Sequence, residues 1–318
     1  MKRANHLKKL FSLAIVISFY IGLYLLSKEH FYQFKELSSQ GVEIKILPII
    51  IACILIAPNW LLESIKWQVS LRPVERVTFS TALKGVLRGI APSLFTPNRV
   101  GEAIGRPSVL EDGNRISGAL ATGYCGISQM PIMILFGMLS CIYFSICNSK
   151  FISSTFLYNE WFVVLGFVCA ILVTILFMLP EFFLPFVGTK SEGWRAKIGR
   201  HLIFFTNYTF CDRLQMLGIS AMRYFVYSLQ NYFTILTVGI NIGFVDGMMS
   251  VFLIYLLISF VPRPALTELG VRCSASVFVL HDYIEDYTLP TLASILLWTI
   301  NLLLPAICGA ALYLFRNK

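Results

Sequence analysis

An all-α polytopic membrane protein of about eight transmembrane helices, with re-entrant or broken helices in two pseudo-repeats, is the fold class that the sequence predicts. Three observations predict it. Hydrophobic residues make up 57% of the 318-residue chain and charged residues only 14%, against about a quarter charged in ordinary soluble domains. Several apolar runs approach the roughly 20 residues that a helix needs to cross hydrocarbon. Two stretches, FTPNRVGEAIGR at 95–106 and FVPRPALTELGVR at 260–272, interrupt this apolar background with Pro, Arg, Glu and Gly in nearly the same order.

The first run, LFSLAIVISFYIGLYLL (10–26), follows a basic MKRANHLKK and could be a signal peptide by that pattern. Its length, and SKEH in place of a small-residue cleavage site, favour an uncleaved first helix. Residues 27–45 are polar with balanced charge, and a second helix follows over about 46–71. Further apolar runs predict helices over about 116–146, 161–187, 219–240 and 247–261, a shorter one over 265–284 and a last over 289–315. The segment 79–95 is too short and too charged for an ordinary span. The basic loops 72–115 and 188–218 and the terminal FRNK all fall on the cytoplasmic side, with HDYIED (281–286) outside, only if 79–95 enters and leaves on one side. It is therefore expected to be re-entrant, with both termini cytoplasmic in a bacterial-type inner membrane. No polar stretch is long enough to bury a core of its own. One integral-membrane domain over 1–318 is expected, with repeats over about 46–187 and 219–315.

The net charge of +9 does not imply a nucleic-acid partner, because most basic residues fall in loops that can all be put on the cytoplasmic side. Eight Cys are scattered without Cys-x-x-Cys spacing and read as small core hydrophobes. The four His are isolated in sequence, so neither a metal nor a cofactor is expected. There is no Asp-x-Asp pair, Gly-rich phosphate loop or Gly-x-Ser-x-Gly. HDYIED reads as a solvated outer loop, no catalytic residue is expected, and the chain is not read as an enzyme.

In lipid, irregular backbone is tolerated only where protein or a water-filled cavity covers it. Pro92 and Pro97 should end a half-helix and a second should begin near Val100, placing Glu102 and Arg106 one turn apart. In the second stretch Pro262 and Pro264 do the breaking, and Glu268 and Arg272 have the same spacing. Paired broken segments in two halves point to a transporter's binding site. Taken alone, either Glu–Arg pair reads more often as a structural ion pair than as a functional one, and the duplication raises the functional reading. Lys84 and Arg88 share one face, beside a notch made by Gly85 and Gly89. They suit an anionic headgroup or simple snorkelling to the interface. Asn59, Glu63 and Lys66 form one polar stripe. Arg223, Tyr227, Gln230, Asn231 and Thr234 form another, long enough to favour a wet cavity.

TPNRVGEAIGR (96–106) followed by PRPALTELGVR (262–272) resembles the membrane-spanning, flippase-like domain of bacterial lysylphosphatidylglycerol synthases. The resemblance covers the chain from about the first helix to the last. It implies a lipid-translocating fold and favours Pro97, Arg99, Gly101, Glu102, Arg106, Glu268, Gly270 and Arg272 as site residues. The residue-level reading adds Lys84, Arg88 and Arg223. The full synthases carry a soluble aminoacyltransferase domain; the sequence stops at Lys318 after its last helix, so that activity is not carried over. The expected function is movement of an anionic, zwitterionic or aminoacylated phospholipid, or a lipid-linked precursor, between leaflets. The alternative is a non-transporting accessory subunit of a lipid- or glycan-modifying enzyme. Membrane lipids are the expected partners, with a lipid synthase or glycosyltransferase as a protein partner.

Overall fold

Proline punctuates most of the long apolar runs, and the helices break where it does. A computed structural model of the protein describes residues 44–93, 96, 100–147, 159–183, 204–261, 268–284 and 287–314. The first expected helix, Pro97, Arg99 and the Pro262–Pro264 stretch lie outside the described residues. Among the described residues every regular element is helical. The second expected helix is α1 (Ile46–Ile54) and α2 (Ile56–Ser70). They are interrupted at Leu55 because Pro58 offers no N–H to the Ile54 carbonyl. The segment expected to re-enter is α3 (Phe79–Ser93), followed by a short α4 (Gly101–Gly105) and a 3-10 turn, Arg106–Val109. Next come α5 (Arg115–Ile127) and α6 (Met130–Ile146), broken just before Pro131, and then α7 (Glu160–Met178).

The expected helix at 219–240 is longer than the sequence suggests. It is α8 (Phe210–Thr237), 28 residues and so about 42 Å long. A capping box between Thr209 and Asp212 starts it nine residues early, satisfying two orphan backbone donors. Arg213, read as a loop cation, is a buried helical residue instead. The chain continues through α9 (Phe244–Phe260), α10 (Glu268–Leu280), α11 (Thr288–Trp298), a π turn at Thr299–Leu303 and α12 (Leu304–Leu314).

Among the described residues, four helical segments are long and apolar enough to span a bilayer: Ile46–Ser70, Asp112–Ile146, Glu160–Met178 and Thr288–Gly309. α9 is apolar but shorter, and α8 owes its lower hydropathy to its polar stripe. The protein is an all-α polytopic membrane protein. α8 runs through its centre, packed against α1, α2, α6, α9 and α11. The largest core joins α6, α8, α9, α10 and α11 through residues such as Met138, Ile235, Leu253 and Val279. α7 instead turns Val164, Leu165, Ile171 and Leu172 outward, a surface for lipid. The Cys are mostly not core: Cys125 and Cys141 are buried, but Cys53, Cys147, Cys169, Cys211 and Cys308 are exposed. In lipid an outward thiol is no less apolar than its neighbours.

Element ends gather in two groups. At one end Arg72 donates to Asp212 (2.5 Å) and Gln215 (2.9 Å), Tyr208 donates to the Ser70 carbonyl, and Arg213 pairs with Glu181 (2.5 Å). Burial alone would raise the Glu181 carboxyl, but the Arg213 guanidinium outweighs it and holds the group below the usual range. At the other end Lys45 donates to Asn241 (2.6 Å) and Tyr143 to Asp246 (2.5 Å). The end of α2 and the start of α8 thus meet at one end of the bundle.

α3 and the return limb form a hairpin. Thr96 Oγ1 accepts from the Gly101 amide (2.6 Å) and donates to the Pro92 carbonyl (3.3 Å), closing the bend. The limb then runs back along α3 so closely that glycine is required. A Cβ at Gly105 would lie 2.6 Å from the Arg88 carbonyl oxygen, and one at Gly101 2.7 Å from the Ser93 nitrogen. On α3 itself, Gly85 admits the Trp67 ring and Gly89 the Arg106 side chain. Pro92 sits inside the last turn of α3, which ends at Ser93. Gly105→Ala must push two backbone segments apart, a strain of about 1–3 kcal/mol. It should lower the thermal midpoint in detergent, while Gly123→Ala, which meets open space, should not.

Candidate functional site

One carboxylate, Glu63 on α2, gathers the polar residues of the interior. Its Oε1 lies 2.7 Å from Arg106 Nη1, and its Oε2 lies 3.1 Å from Lys66 Nζ and 3.2 Å from Arg223 Nε. The three cations come from its own helix, from the return limb and from the middle of α8. Arg106 also pairs with Glu102 one turn back, as the spacing anticipates. The single Arg223 Nε–H donates to Asn59 Oδ1 (3.0 Å), so its contact with Glu63 is ionic, and Arg223 Nη1 reaches Gln129 (3.5 Å). Gln129 in turn donates to the Ser220 carbonyl. Asn59 donates to Asn301 (3.2 Å), which sits in the π turn. A π turn advances the ladder by one residue and commonly marks a functional position; here it lies just before Pro305.

Local structure explains why these side chains stay charged in a membrane. α2 carries Asn59, Glu63 and Lys66 on one buried face, at helical spacing toward α8 and the hairpin. Each cation faces a carboxylate, which is the condition for tolerating charge at depth. Lys66 is 1% exposed and does not snorkel.

The second interrupted stretch adds another pair. Arg272 donates to Glu268 Oε1 from Nη2 (3.0 Å) and Nε (3.3 Å). Arg272 also lies beside the hydroxyl of Tyr255. The Tyr255 and Tyr227 rings meet edge-on, with centroids 4.8 Å apart. The Arg223 guanidinium lies over Tyr227, 5.7 Å from its centroid, in cation–π range. A continuous path of polar and aromatic contacts therefore links Glu102 and Arg106 to Arg272 and Glu268. The second stretch also packs near α3, with Leu269 in one apolar cluster with Ile90 and Ala91.

The other expected site residues fall in different places. Lys84 is exposed on α3 and Arg88 is half-buried. Gly101 and Gly105 are packing glycines, whereas Gly270 is exposed with nothing near a Cβ position. The two glycines are thus not equivalent. The lower part of the α8 stripe is packed rather than open: Gln230, Asn231 and Thr234 are buried. Gln230 donates to the Ala52 carbonyl and Thr234 to the Asn231 carbonyl. Pro97 and Arg99 lie outside the described residues.

Sequence reasoning noted Glu63 but missed its central place, along with Gln129, Tyr255 and Asn301. A carboxylate inside an apolar run was the available signal for Glu63. One spacing was also overlooked: His281 and Asp286 stand in His-x4-Asp register within HDYIED. Asp286 lies outside the described residues, and His281 borders an open cleft of about 490 Å³ with Tyr287 and Cys273. A second cleft, about 360 Å³ and almost wholly apolar, lies between α6 and α7 and reaches Leu217 of α8. Its lining begins at Pro131, two residues beyond Gln129.

Broken apolar helices around a buried ionic network define a polytopic integral membrane protein with a polar interior. A family model described as the lysylphosphatidylglycerol synthase TM region matches residues 11–309, and the chain belongs to that family. The resemblance carried by the two interrupted stretches is thereby borne out, and membership fits a role connected with membrane lipids. No curated protein matches the chain.

Glu63→Gln leaves Arg106, Lys66 and Arg223 without their shared counter-ion. Stranding a buried charge costs about 3–5 kcal/mol, so the variant should unfold at markedly lower temperature in detergent. Arg115→Gln, which breaks a pair that is 42% exposed on the arginine side, should leave the midpoint unchanged.

Proposed function

We propose that the protein moves a phospholipid, or a lipid-linked precursor, between membrane leaflets. In this reading the headgroup passes the ionic network that joins the two interrupted stretches. The observation that carries it is the placement of Arg223 midway along a 28-residue helix, within a network that extends to Arg272. Ionisable groups at such depth are costly and usually mark a substrate path. The apolar cleft between α6 and α7 supports the reading, because an acyl tail could lie there close to Gln129 and Arg223.

The substrate-contacting residues on this reading are Arg223, Arg272 and Glu268. Lys84 and Arg88 of α3 guide the headgroup, and Arg106 and Glu102 fix the hairpin that shapes the path. Catalysis is not part of the proposal, nor is a metal or cofactor. The membrane is the bacterial inner membrane, both termini are cytoplasmic, and a lipid synthase or glycosyltransferase acts alongside. Sidedness is tested by placing a single Cys at position 282 in a Cys-free variant. It should react with an impermeant maleimide added outside intact cells, whereas a Cys at position 76 should react only after permeabilisation.

Purified protein in liposomes containing a fluorescent phospholipid should speed the loss of inner-leaflet signal to a membrane-impermeant quencher. Arg272→Lys cannot reproduce a forked, two-point contact and should slow movement about tenfold, the factor that one charge-assisted hydrogen bond supplies. His281→Ala should leave the rate unchanged. Wild-type protein that moves no lipid alone, yet co-purifies with a lipid- or glycan-modifying enzyme, would favour the accessory role. Loss of movement in His281→Ala would reopen the enzymatic reading.

A further inference from the structure

The network around Glu63 is not electrically balanced. Among the described residues three cations, Lys66, Arg106 and Arg223, face two carboxylates, Glu63 and Glu102, one positive charge more than the carboxylates balance. The pair Glu268–Arg272 adds nothing to that excess. Each of the three carboxylates already holds a guanidinium. An incoming ammonium would have to displace one, whereas an incoming anion meets uncompensated positive charge in a poorly solvated place.

The arginines are not alike. Arg106 is gripped by two carboxylates and its side chain is only 5% exposed. Arg223 and Arg272 keep 21% and 17% of their side chains accessible. Arg223 lies over the Tyr227 ring and Arg272 beside the Tyr255 hydroxyl, and both lie within electrostatic reach of that hydroxyl. Arg223 and Lys66 share Glu63 Oε2 at 3.2 and 3.1 Å, whereas Arg106 holds Oε1 at 2.7 Å. Arg223 can turn away while Lys66 and Arg106 keep Glu63 neutralised.

We infer that Arg223 and Arg272 clamp one monoanionic phosphodiester, the headgroup phosphate of an anionic phospholipid, in preference to zwitterionic or aminoacylated headgroups. Arg223 exchanges Glu63 for the phosphate as the lipid enters. This rests on the lipid-moving reading and narrows its substrate. Guanidinium groups suit phosphate because their planar donor forks match its oxygens. A zwitterionic headgroup brings the same phosphate with an amine, and that amine finds the nearby carboxylates already engaged.

Delipidated wild-type protein in detergent is titrated with phosphatidylglycerol, phosphatidylethanolamine and lysylphosphatidylglycerol of identical acyl chains, and binding is read by native mass spectrometry. Phosphatidylglycerol should bind about tenfold more tightly than either of the others, the difference one net charge-assisted contact makes. Arg223→Gln and Arg272→Gln should erase the preference, and Arg115→Gln should keep it. The ranking on the wild-type protein decides the matter even if a variant fails to fold. Equal binding of the three lipids, or preference for the aminoacylated one, overturns the inference. Inorganic phosphate should not compete at millimolar concentration; complete competition would overturn the lipid assignment. Selective binding without movement in liposomes would sink the transport reading and leave the headgroup assignment standing, whereas movement without headgroup preference would do the reverse.

Discussion

Glu63 is the constraint on which the interior depends. A single carboxylate holds its own helix, the returning limb of the hairpin and the central helix through Lys66, Arg106 and Arg223. The hairpin could not rely on apolar burial instead. Its return helix is five residues, GEAIG, with Ile104 70% exposed, far shorter than an isolated helix needs for stability. What holds it is close backbone packing at Gly101 and Gly105, together with the Arg106 side chain lying along Gly89. The ion pair and the glycines are interdependent. Arg106 reaches Glu63 only because Gly89 has no side chain in its way.

Much of this architecture was legible because proline and charge are conspicuous in an apolar chain. Pro58, Pro131 and Pro305 mark breaks or distortions within expected spans, and Glu102 with Arg106 could be paired from their spacing alone. Tertiary partners were not legible in the same way. Glu63 looked like one member of a polar stripe, since nothing local indicates that residues 43 and 160 positions away will converge on it. The early start of α8 was missed because FCDRLQMLG is polar enough to suit a loop. Its signal, Thr209 followed three residues later by Asp212, was present all the same. Gln230, Asn231 and Thr234 illustrate the opposite error. A polar stripe suggests water, yet these side chains spend their hydrogen bonds on backbone carbonyls and pack.

The two interrupted stretches share ingredients but not circumstances. In the first, Arg106 is locked between two carboxylates and Gly105 is pressed against the Arg88 carbonyl. In the second, Arg272 has one carboxylate and an aromatic neighbour, and Gly270 faces open space. Similar sequences have thus been fitted to an anchor in one half and to a more accessible cation in the other. The same Glu–Arg spacing supports both, because a one-turn pair on a helix needs nothing beyond its own backbone.

A site that binds and releases lipid must avoid two extremes. A lone cation at membrane depth would be too costly when empty, and a fully compensated pair would offer a headgroup nothing. Arg223 lies between these limits. It shares Glu63 and Asn59, and in binding the proposed phosphate it would give up only its share of a carboxylate that two other cations retain. Its charge is partnered in both states, so the free-energy gap between them is that between two partners rather than that of an exposed ion. A small gap of this kind is what allows a ligand to shift the population and then leave. On the proposed lipid-binding reading, the surplus positive charge among the described residues of the network sets the direction of the preference, and the shared carboxylate keeps it reversible.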